Sequence, residues 1–582
     1  MHQPQFLVLG VFYSVAKTAL HPSTWTRLRQ GSMAVLRNDS RIILHLDYDC
    51  FYASVFEVEQ PALRSLPLAV QQKQIVVTCN YEARRRGLHK LQLIKDAKRI
   101  CPDVVIVLGE DLTKFRNASK ELYLLVRSLV WGGRVEKLGF DELFLDVTEM
   151  IDYNISVLNP NDLTNSFFHL DRKDPTIGTA YDATRFQGST FPVTEGPPVP
   201  TDLSSLEMRL LVASHLQGHI RSKLEHQIGF TATGGISTSK LLAKLVGSVH
   251  KPNGQTTLLP PYQSTPENES NVHRFLDEHE IRKIPGIGSR MAQKLRAHIT
   301  GQEDSDAKVT VRDVRLFPGM GPPLLDKILS GLGSAKGIGT KMWSVLHGVD
   351  NSEVLQGRDV PTQISIEDSY GRLDTFEAVR RELVTLSRSL IRRMRADLLD
   401  NETPPGRWRA HPRTLRLSTR PRLPPGSETG RTYHSNRISR SAPLPAFIFH
   451  LDENIDALAE RLVHESVLSM FRRLHPDKAG WNLSLLNIAV TNIVESAGDQ
   501  KQSSGRDIEK MFQQQETVLR DWTVQEQAPE APVDVSLSDS EQAESDDWED
   551  DEPLASLDCT LCGCPVPLFA HEAHMMYHSV PE

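Results

Sequence analysis

The chain has 582 residues, enough for about four domains of ordinary size, and with 39% hydrophobic and 24% charged residues most of it can bury cores. No run of about 18 apolar residues occurs, so no membrane-spanning helix is expected. The net charge of −8 argues on its face against a nucleic-acid partner, yet Asp521 to Glu582 holds 16 acidic residues and no Lys or Arg, which leaves a net +8 in the first 520 residues.

The first residues are ambiguous. Phe6 to Tyr13 is apolar and no acid precedes Asp39, while Lys17, Arg27 and Arg29 are basic. A secretory signal fits the apolar run and a mitochondrial presequence fits the missing acids. The plainer reading is a dispensable, disordered leader over 1–37, with Met33 an alternative start. Cys50, Cys79 and Cys101 are scattered, whereas Cys559, Cys562 and Cys564 cluster. That usage fits a reducing compartment with one metal site rather than a disulfide framework.

From Arg41 to Asp49 the chain reads as a strand, followed by a helix-compatible stretch from Cys50 to Glu59. Ile75 to Cys79 is β-branched and strand-like, Lys95 to Arg99 is helical up to the Cys101-Pro102 stop, Val104 to Leu108 is a strand, and Lys114 to Leu129 a helix. Val135 to Val147 reads as two strands around a turn. Strands and helices mix without a regular crossover repeat, which predicts an α+β fold. Residues 151–203, rich in Asn, Asp, Thr, Gly and Pro, predict a long inserted loop. A helix from Leu203 to Gln227 and the segment 228–259 return to globular composition.

Two Pro-Gly-x-Gly turns follow, Pro285 to Gly288 and Pro318 to Gly321, each ahead of a helical stretch. Such a turn, with Gly286 and Gly288 allowing close approach, can aim backbone N–H groups at a DNA phosphate; the alternative is an ordinary helix start. Over 358–495, Phe376, Val379, Leu383, Leu386, Leu390 and Met394 place one apolar face on a helix, and Ile455, Leu458, Leu462 and Met470 suggest another. Arg413 to Arg420 alternates, with Arg416 and Arg420 opposite Leu415 and Leu417. Between Arg407 and Arg440 there are nine Arg and one acid, Glu428, which reads as a phosphate-tracking sheet face. Beyond 497 the chain becomes an acidic, disordered linker (498–556) and then a small module (557–582).

Two acidic sites carry chemistry. Asp47 and Asp49 end the first strand, and Asp141-Glu142 lies in the later hairpin. Paired carboxylates from separate strand ends suit two Mg²⁺ ions that clamp the oxygens of a displacement. Asp47-x-Asp49 alone also suits a metal-dependent glycosyltransferase, a reading that leaves everything downstream unexplained.

Asp47-Tyr48-Asp49-Cys50-Phe51-Tyr52-Ala53-Ser54-Val55, Val76-Val77-Thr78-Cys79-Asn80-Tyr81-Glu82-Ala83-Arg84, Leu138-Gly139-Phe140-Asp141-Glu142, and Lys240 to Leu245 followed by Lys251-Pro252-Asn253-Gly254-Gln255 resemble, in order, the motifs of the Y-family translesion DNA polymerases. The resemblance spans about 38–500. It implies a right hand: a palm at 38–65 and 112–261, small fingers at 66–111, a helical thumb with helix-hairpin-helix at 262–350, and an α+β little finger at 358–497. Asp47, Asp141 and Glu142 are then the catalytic side-chain metal ligands, with the Tyr48 carbonyl a further one, for two Mg²⁺ with Mn²⁺ as the alternative. Tyr81, Arg84 and Lys251 bind the incoming triphosphate, and their charge and donors suit it independently. Tyr52 is a steric gate against a 2′-hydroxyl. Asp49 is similar to a carboxylate the family keeps near the site and is not counted as a ligand. Gln72, Ile75 and Val77 line the surface over the nascent base pair; the Gln71-Gln72-Lys73 run points to a branch in which that pair is narrowed and Hoogsteen-type. Lys240 and Lys244, four residues apart, stay outside the site.

Low-fidelity synthesis on primer–template DNA from deoxynucleoside triphosphates, without proofreading, follows from the resemblance, in the nucleus and with a mitochondrial pool left open by the leader. A non-catalytic DNA-binding scaffold is the competing class. At the end of the chain, Cys559-x2-Cys562 and His574-x3-His578 have the spacing of a tetrahedral Zn²⁺ set, with Cys564 and His571 as alternative ligands. The stretch resembles the ubiquitin-binding fingers found behind polymerases of this family, particularly polymerase eta, which implies ubiquitin or a ubiquitinated sliding clamp as partner. It departs at Met576, where such fingers carry an Asp.

Overall fold

The computed structural model describes residues 36–193, 203–302, 307–331, 336–358, 360–400, 406–422, 437–476 and 481–496, with the backbone of 556–558 and 565–567. The leader up to 35, nearly all of the acidic linker, and Cys559, Cys562, His574 and His578 lie outside these residues. Two compact units divide the chain, Met1–Val494 and Glu495–Glu582.

In the first unit, β1 (Ile43–Tyr48) leads into α1 (Phe51–Glu59). β2 (Leu68–Gln72) and β3 (Ile75–Cys79) form a hairpin, α2 (Tyr81–Arg85) and α3 (Ile94–Ile100) follow, and β4 (Val105–Leu108) returns beside β2. After α4 (Thr113–Ser128) come the hairpin β5 (Val135–Leu138) and β6 (Glu142–Asp146), α5 (Thr148–Ser156), the hairpin β7 (Ser166–His169) and β8 (Gly178–Tyr181), and β9 (Ser189–Phe191). Then α6 (Ser205–Lys223), β10 (Ala232–Ser237), α7 (Lys240–Gly247) and β11 (Gln255–Leu258) complete a six-stranded sheet in the order β5-β6-β1-β10-β11-β9.

The sheet explains the unbroken apolar run at its centre. Leu44, Leu46 and Tyr48 face the main core, which also holds Leu143 and Leu145. Ile43 faces the other way, packed with Phe144 and Ala243. A strand covered on both faces is closed at every position; His45 is buried beside Phe144, and the second face opens only at Asp47. Helix α7 comes unusually close to β10: a Cβ on Gly235 would lie 1.9 Å from the Ala243 carbonyl oxygen. Gly235 therefore permits backbone-to-backbone packing of α7 on the sheet, while Gly234 makes room for the Gln217 side chain of α6. Helix α6 starts on a capping box, with the Ser204 hydroxyl and Glu207 carboxylate each accepting the other's backbone N–H.

A helical block follows: α8 (Asn271–Asp277), α9 (Ser289–Thr300), α10 (Val311–Arg315), α11 (Pro322–Leu329) and α12 (Ile338–Leu346). Residues 350–357 then run along the free edge of β5, where the Gly357 N–H donates to the Val135 carbonyl at 3.0 Å. The last part has β12 (Gln363–Ser369), α13 (Phe376–Leu398), the short pair β13 (Leu399–Asp400) and β14 (Arg407–Trp408), β15 (Ala410–Pro421), β16 (Ile438–Pro443), α14 (Ile455–Leu462), α15 (Leu468–Leu474) and β17 (Leu483–Glu495). Its sheet, in the order β12-β17-β15-β16, is backed by α13 and α14 over a separate core. Val379, Leu383, Leu386, Leu390 and Met394 form the buried stripe of α13 as their spacing predicts. In the second unit, β18 (Ser556–Asp558) pairs with β19 (Pro565–Pro567). The mixed composition matches the expected α+β class.

The loop expected over 151–203 is a correction. The segment continues α5, forms the β7–β8 hairpin and supplies β9, an edge strand of the main sheet parallel to β11. Polar composition misled because few residues carry the packing: Phe168, Tyr181 and Ala183 are buried in the main core, and the polar residues between them face outward.

Candidate active site

The site forms where β1 leaves the sheet. Asp47 pairs with Glu142 across β1 and β6, and the Tyr48 N–H donates to the Asp141 carbonyl at 2.8 Å. Gly139, at φ +75°, takes the left-handed turn that brings Asp141 back beside β1. Ladder register and this turn thus bring Asp47 beside Asp141 and Glu142, which lie more than ninety residues later in the sequence. They line one cavity of about 790 Å³ with Tyr48, Tyr52, Val77, Tyr81, Arg84 and Lys251, all expected there.

Burial, and then the charges of Asp47 and Glu142, push the Asp141 carboxyl above its ordinary range. Two lysines offset the crowding: Lys251 Nζ sits 2.7 Å from Asp47 and Lys244 Nζ 2.5 Å from Glu142. Lys244, left outside the expected site, belongs to it, and Lys240 turns instead to Glu136 at 3.0 Å. The readable signal for Lys244 was Gly235, where α7 approaches the sheet. Among the described residues, no group of His, Cys, Asp or Glu forms a ready metal cluster. The donors nevertheless fit hard cations, because carboxylate oxygens converge and ammonium groups stand where positive charge is needed.

The opposite wall comes from the β2–β3 sheet. Asn80 caps α2, accepting the Ala83 N–H at 2.9 Å and the Leu68 N–H at 3.1 Å, which fixes Tyr81 and Arg84 over the cavity. The Arg84 guanidinium lies 4.5 Å from the Tyr81 ring centre and donates to the Cys79 carbonyl. Burial, ahead of the nearby Asp49 charge, raises the Tyr81 hydroxyl well above its ordinary value. Tyr52 stacks on Phe115 at 4.3 Å, which holds its ring at the cavity floor. A register shift between β2 and β3 lets Val77 and Thr78, adjacent in sequence, both face the cavity. Gln72 and Ile75 pair at the tip of that hairpin and do not line the cavity; the Gln72 amide donates to the Gly109 carbonyl at 2.6 Å.

Farther away, Gly286 has φ +86°, and neither it nor Gly288 has an atom within 4 Å of where a Cβ would sit. Both are open to a ligand. On β15, Leu415 and Leu417 are buried, Arg416 is exposed and Arg420 half-buried, each Arg bonded to a neighbouring Ser at 3.2 Å.

The described residues thus set an acidic centre between two strands, walled by a separate small sheet and followed by a helical block and an Arg-faced sheet. Residues 46–248 match the impB/mucB/samB family and residues 361–504 the impB/mucB/samB family C-terminal domain, together more than half the chain. The chain belongs to the impB/mucB/samB family. It is 33% identical over 456 residues to DNA polymerase iota of Homo sapiens, covering 78% of this chain and 52% of that protein. It is 39% identical over 251 residues to DNA polymerase iota of Drosophila melanogaster, covering 43% and 30%. DNA polymerase IV of Pseudomonas syringae pv. syringae (strain B728a) is 26% identical over 360 residues, covering 61% and 77%. The chain spans about half the length of the human relative.

Proposed function

We propose that the chain is a Y-family DNA-directed DNA polymerase that extends a primer opposite damaged template from deoxynucleoside triphosphates, with low fidelity and no proofreading. One observation carries the reading: Asp47, Asp141 and Glu142 share a cavity with Tyr81, Arg84 and Lys251. In this reading the β1-centred sheet is the palm, the β2–β3–β4 sheet the fingers, the helical block the thumb, and the Arg-faced sheet the little finger.

Asp47, Asp141, Glu142 and the Tyr48 carbonyl would hold two Mg²⁺, with Mn²⁺ as the alternative. When bound, such ions lower the pKa of a hydroxyl nucleophile and offset the charge of the leaving pyrophosphate. The chain's own residues supply the rest. Arg84 and Lys251 neutralise the triphosphate, and the protonated Tyr81 hydroxyl donates to it. Tyr52, backed by Phe115, closes the space that a 2′-hydroxyl would need. Val77 borders the nascent pair, with Gln72 and Ile75 beyond it toward the template. Gly286, Gly288, Arg416 and Arg420 would contact DNA phosphates. Asp141→Ala or Glu142→Ala should cut primer extension by about 10³-fold, the scale of lost charge stabilisation, while DNA binding stays near wild type. Undiminished extension would sink the assignment of these carboxylates, whereas a wild-type chain that binds DNA but extends no primer would leave the scaffold reading standing.

The finger proposal is supported by the spacing of Cys559, Cys562, His574 and His578 and by the β18–β19 pairing, whose connecting residues 559–564 include three cysteines. One zinc per full chain, lost in Cys559→Ser, is expected by elemental analysis. Saturable shifts in labelled ubiquitin titrated with the full chain would support that partner. Among the described residues no helix is long and apolar enough to cross a membrane. A nuclear site of action follows from the proposed activity.

A further inference from the structure

We infer that Asp49 is a positioning residue for Lys251, acting through the turn that carries it, in the nucleotidyl transfer proposed above. Asp49 lies just beyond β1, two residues after a carboxylate of the active site, but its own carboxylate is engaged elsewhere. It is 3% exposed. One oxygen accepts the Thr233 hydroxyl at 2.7 Å and the other accepts the backbone N–H of Asn253 at 2.8 Å. Its main chain is held too: its N–H donates to the Thr231 carbonyl at 3.0 Å, and its carbonyl accepts the Ser54 hydroxyl at 2.6 Å. Both oxygens are thus engaged away from the cavity.

The bond to Asn253 is the informative one. Asn253 sits at φ +48°, a conformation that non-glycine residues rarely hold without support. Support comes from two sides. Beneath it is the Asp49 carboxylate; beside it, Arg221 donates to the Asn253 side-chain oxygen at 2.5 Å, to the Gln255 side chain at 3.1 Å and to the Ala232 carbonyl at 2.8 Å. Two residues back along this turn, Lys251 reaches Asp47. A flexible four-carbon stem delivers its ammonium group reproducibly only if its root is fixed. A buried carboxylate is costly to keep unless every oxygen is satisfied, and here it is satisfied by the element that must be held still. Fixing the turn explains a buried carboxylate whose two oxygens bond away from the cavity.

The test is a double-mutant cycle in the full chain. For each variant, single-nucleotide insertion kinetics are measured together with the Kd of the matched nucleotide on a dideoxy-terminated primer–template. Asp49→Ala should raise KM and that Kd about tenfold while kcat changes less than about threefold. In a Lys251→Ala background the same substitution should change KM by less than about threefold, because the residue it positions is gone. Asp49→Asn, which keeps the shape and one acceptor, should fall between, and it carries the test if the alanine variant does not fold. Primer–template affinity should be unchanged throughout. Equal losses in both backgrounds, or a loss confined to kcat, would overturn the assignment. A wild-type chain unable to extend any primer would instead defeat the polymerase reading on which this rests, so the two failures are distinguishable.

Discussion

Asp47 and Glu142, on neighbouring strands, each face a lysine, and this ties charge to stability as well as to chemistry. Lys244 pairs with a carboxylate that is 19% exposed. Lys244→Ala should lower stability in metal-free buffer by about 1–3 kcal/mol, the cost of an abandoned charged partner, and added Mg²⁺ should restore part of it; thermal unfolding with and without the ion checks this. Tyr52 makes a different prediction. Its ring is held by the stack on Phe115, so Tyr52→Ala removes a wall rather than a charge. Ribonucleotide incorporation should rise at least about tenfold relative to deoxynucleotide, with extension from deoxynucleotides retained. The site residues were readable because they lie in short motifs, and Lys244 was missed because its partner is 102 residues away.

Among the elements, the turn before α9 separates a backbone requirement from a contact requirement. Gly286 is in the left-handed region, whereas Gly288 has φ −72°, and both face open space. Gly286→Ala should therefore cost about 1 kcal/mol of stability, and Gly288→Ala almost none. If the turn meets a phosphate, both should weaken primer–template binding, because an added methyl keeps the backbone N–H groups away. Unfolding curves and binding isotherms on the two variants separate these effects. The α13 stripe was legible because helical spacing is local. The β7–β8 hairpin and β9 were not: their apolar residues are few, and what makes β9 a strand is a free sheet edge beside β11.

Over the whole molecule, buried histidines set an acid limit. In the helical block the rings of His273 and His347 lie 5.2 Å apart. Burial, then Arg315, His347 and Arg37, depresses His273 to about 3, and burial also lowers His347. Below pH about 6.5 the unfolded chain takes up protons that the folded chain refuses, so each such group removes up to about 1.4 kcal/mol per pH unit as the pH falls. Stability should thus decline from neutral pH toward acid, and His273→Asn should flatten that decline in unfolding curves measured from pH 7 to 5. Charge distribution makes a second forecast: removing residues 521–582 takes the chain from −8 to +8. DNA affinity should rise and become more salt-dependent, as filter binding across a salt series would show.

By itself the sequence determined the order of the motifs, the identity of the three carboxylates and of Tyr81, Arg84 and Lys251 in the same cavity, the α+β class and the uneven charge, because each is written in local spacing or composition. Tertiary structure decided what those residues face. It paired Asp47 with Lys251 and Glu142 with Lys244, turned Asp49 away from the cavity onto Thr233 and Asn253, and moved Gln72 and Ile75 out of the cavity wall. The physical reason is range: periodicity reports which side of its own strand or helix a residue takes, whereas the Asp49 partners lie 184 and 204 residues away. Only sheet register and the close approach of α7 over Gly235 bring such partners within hydrogen-bonding distance.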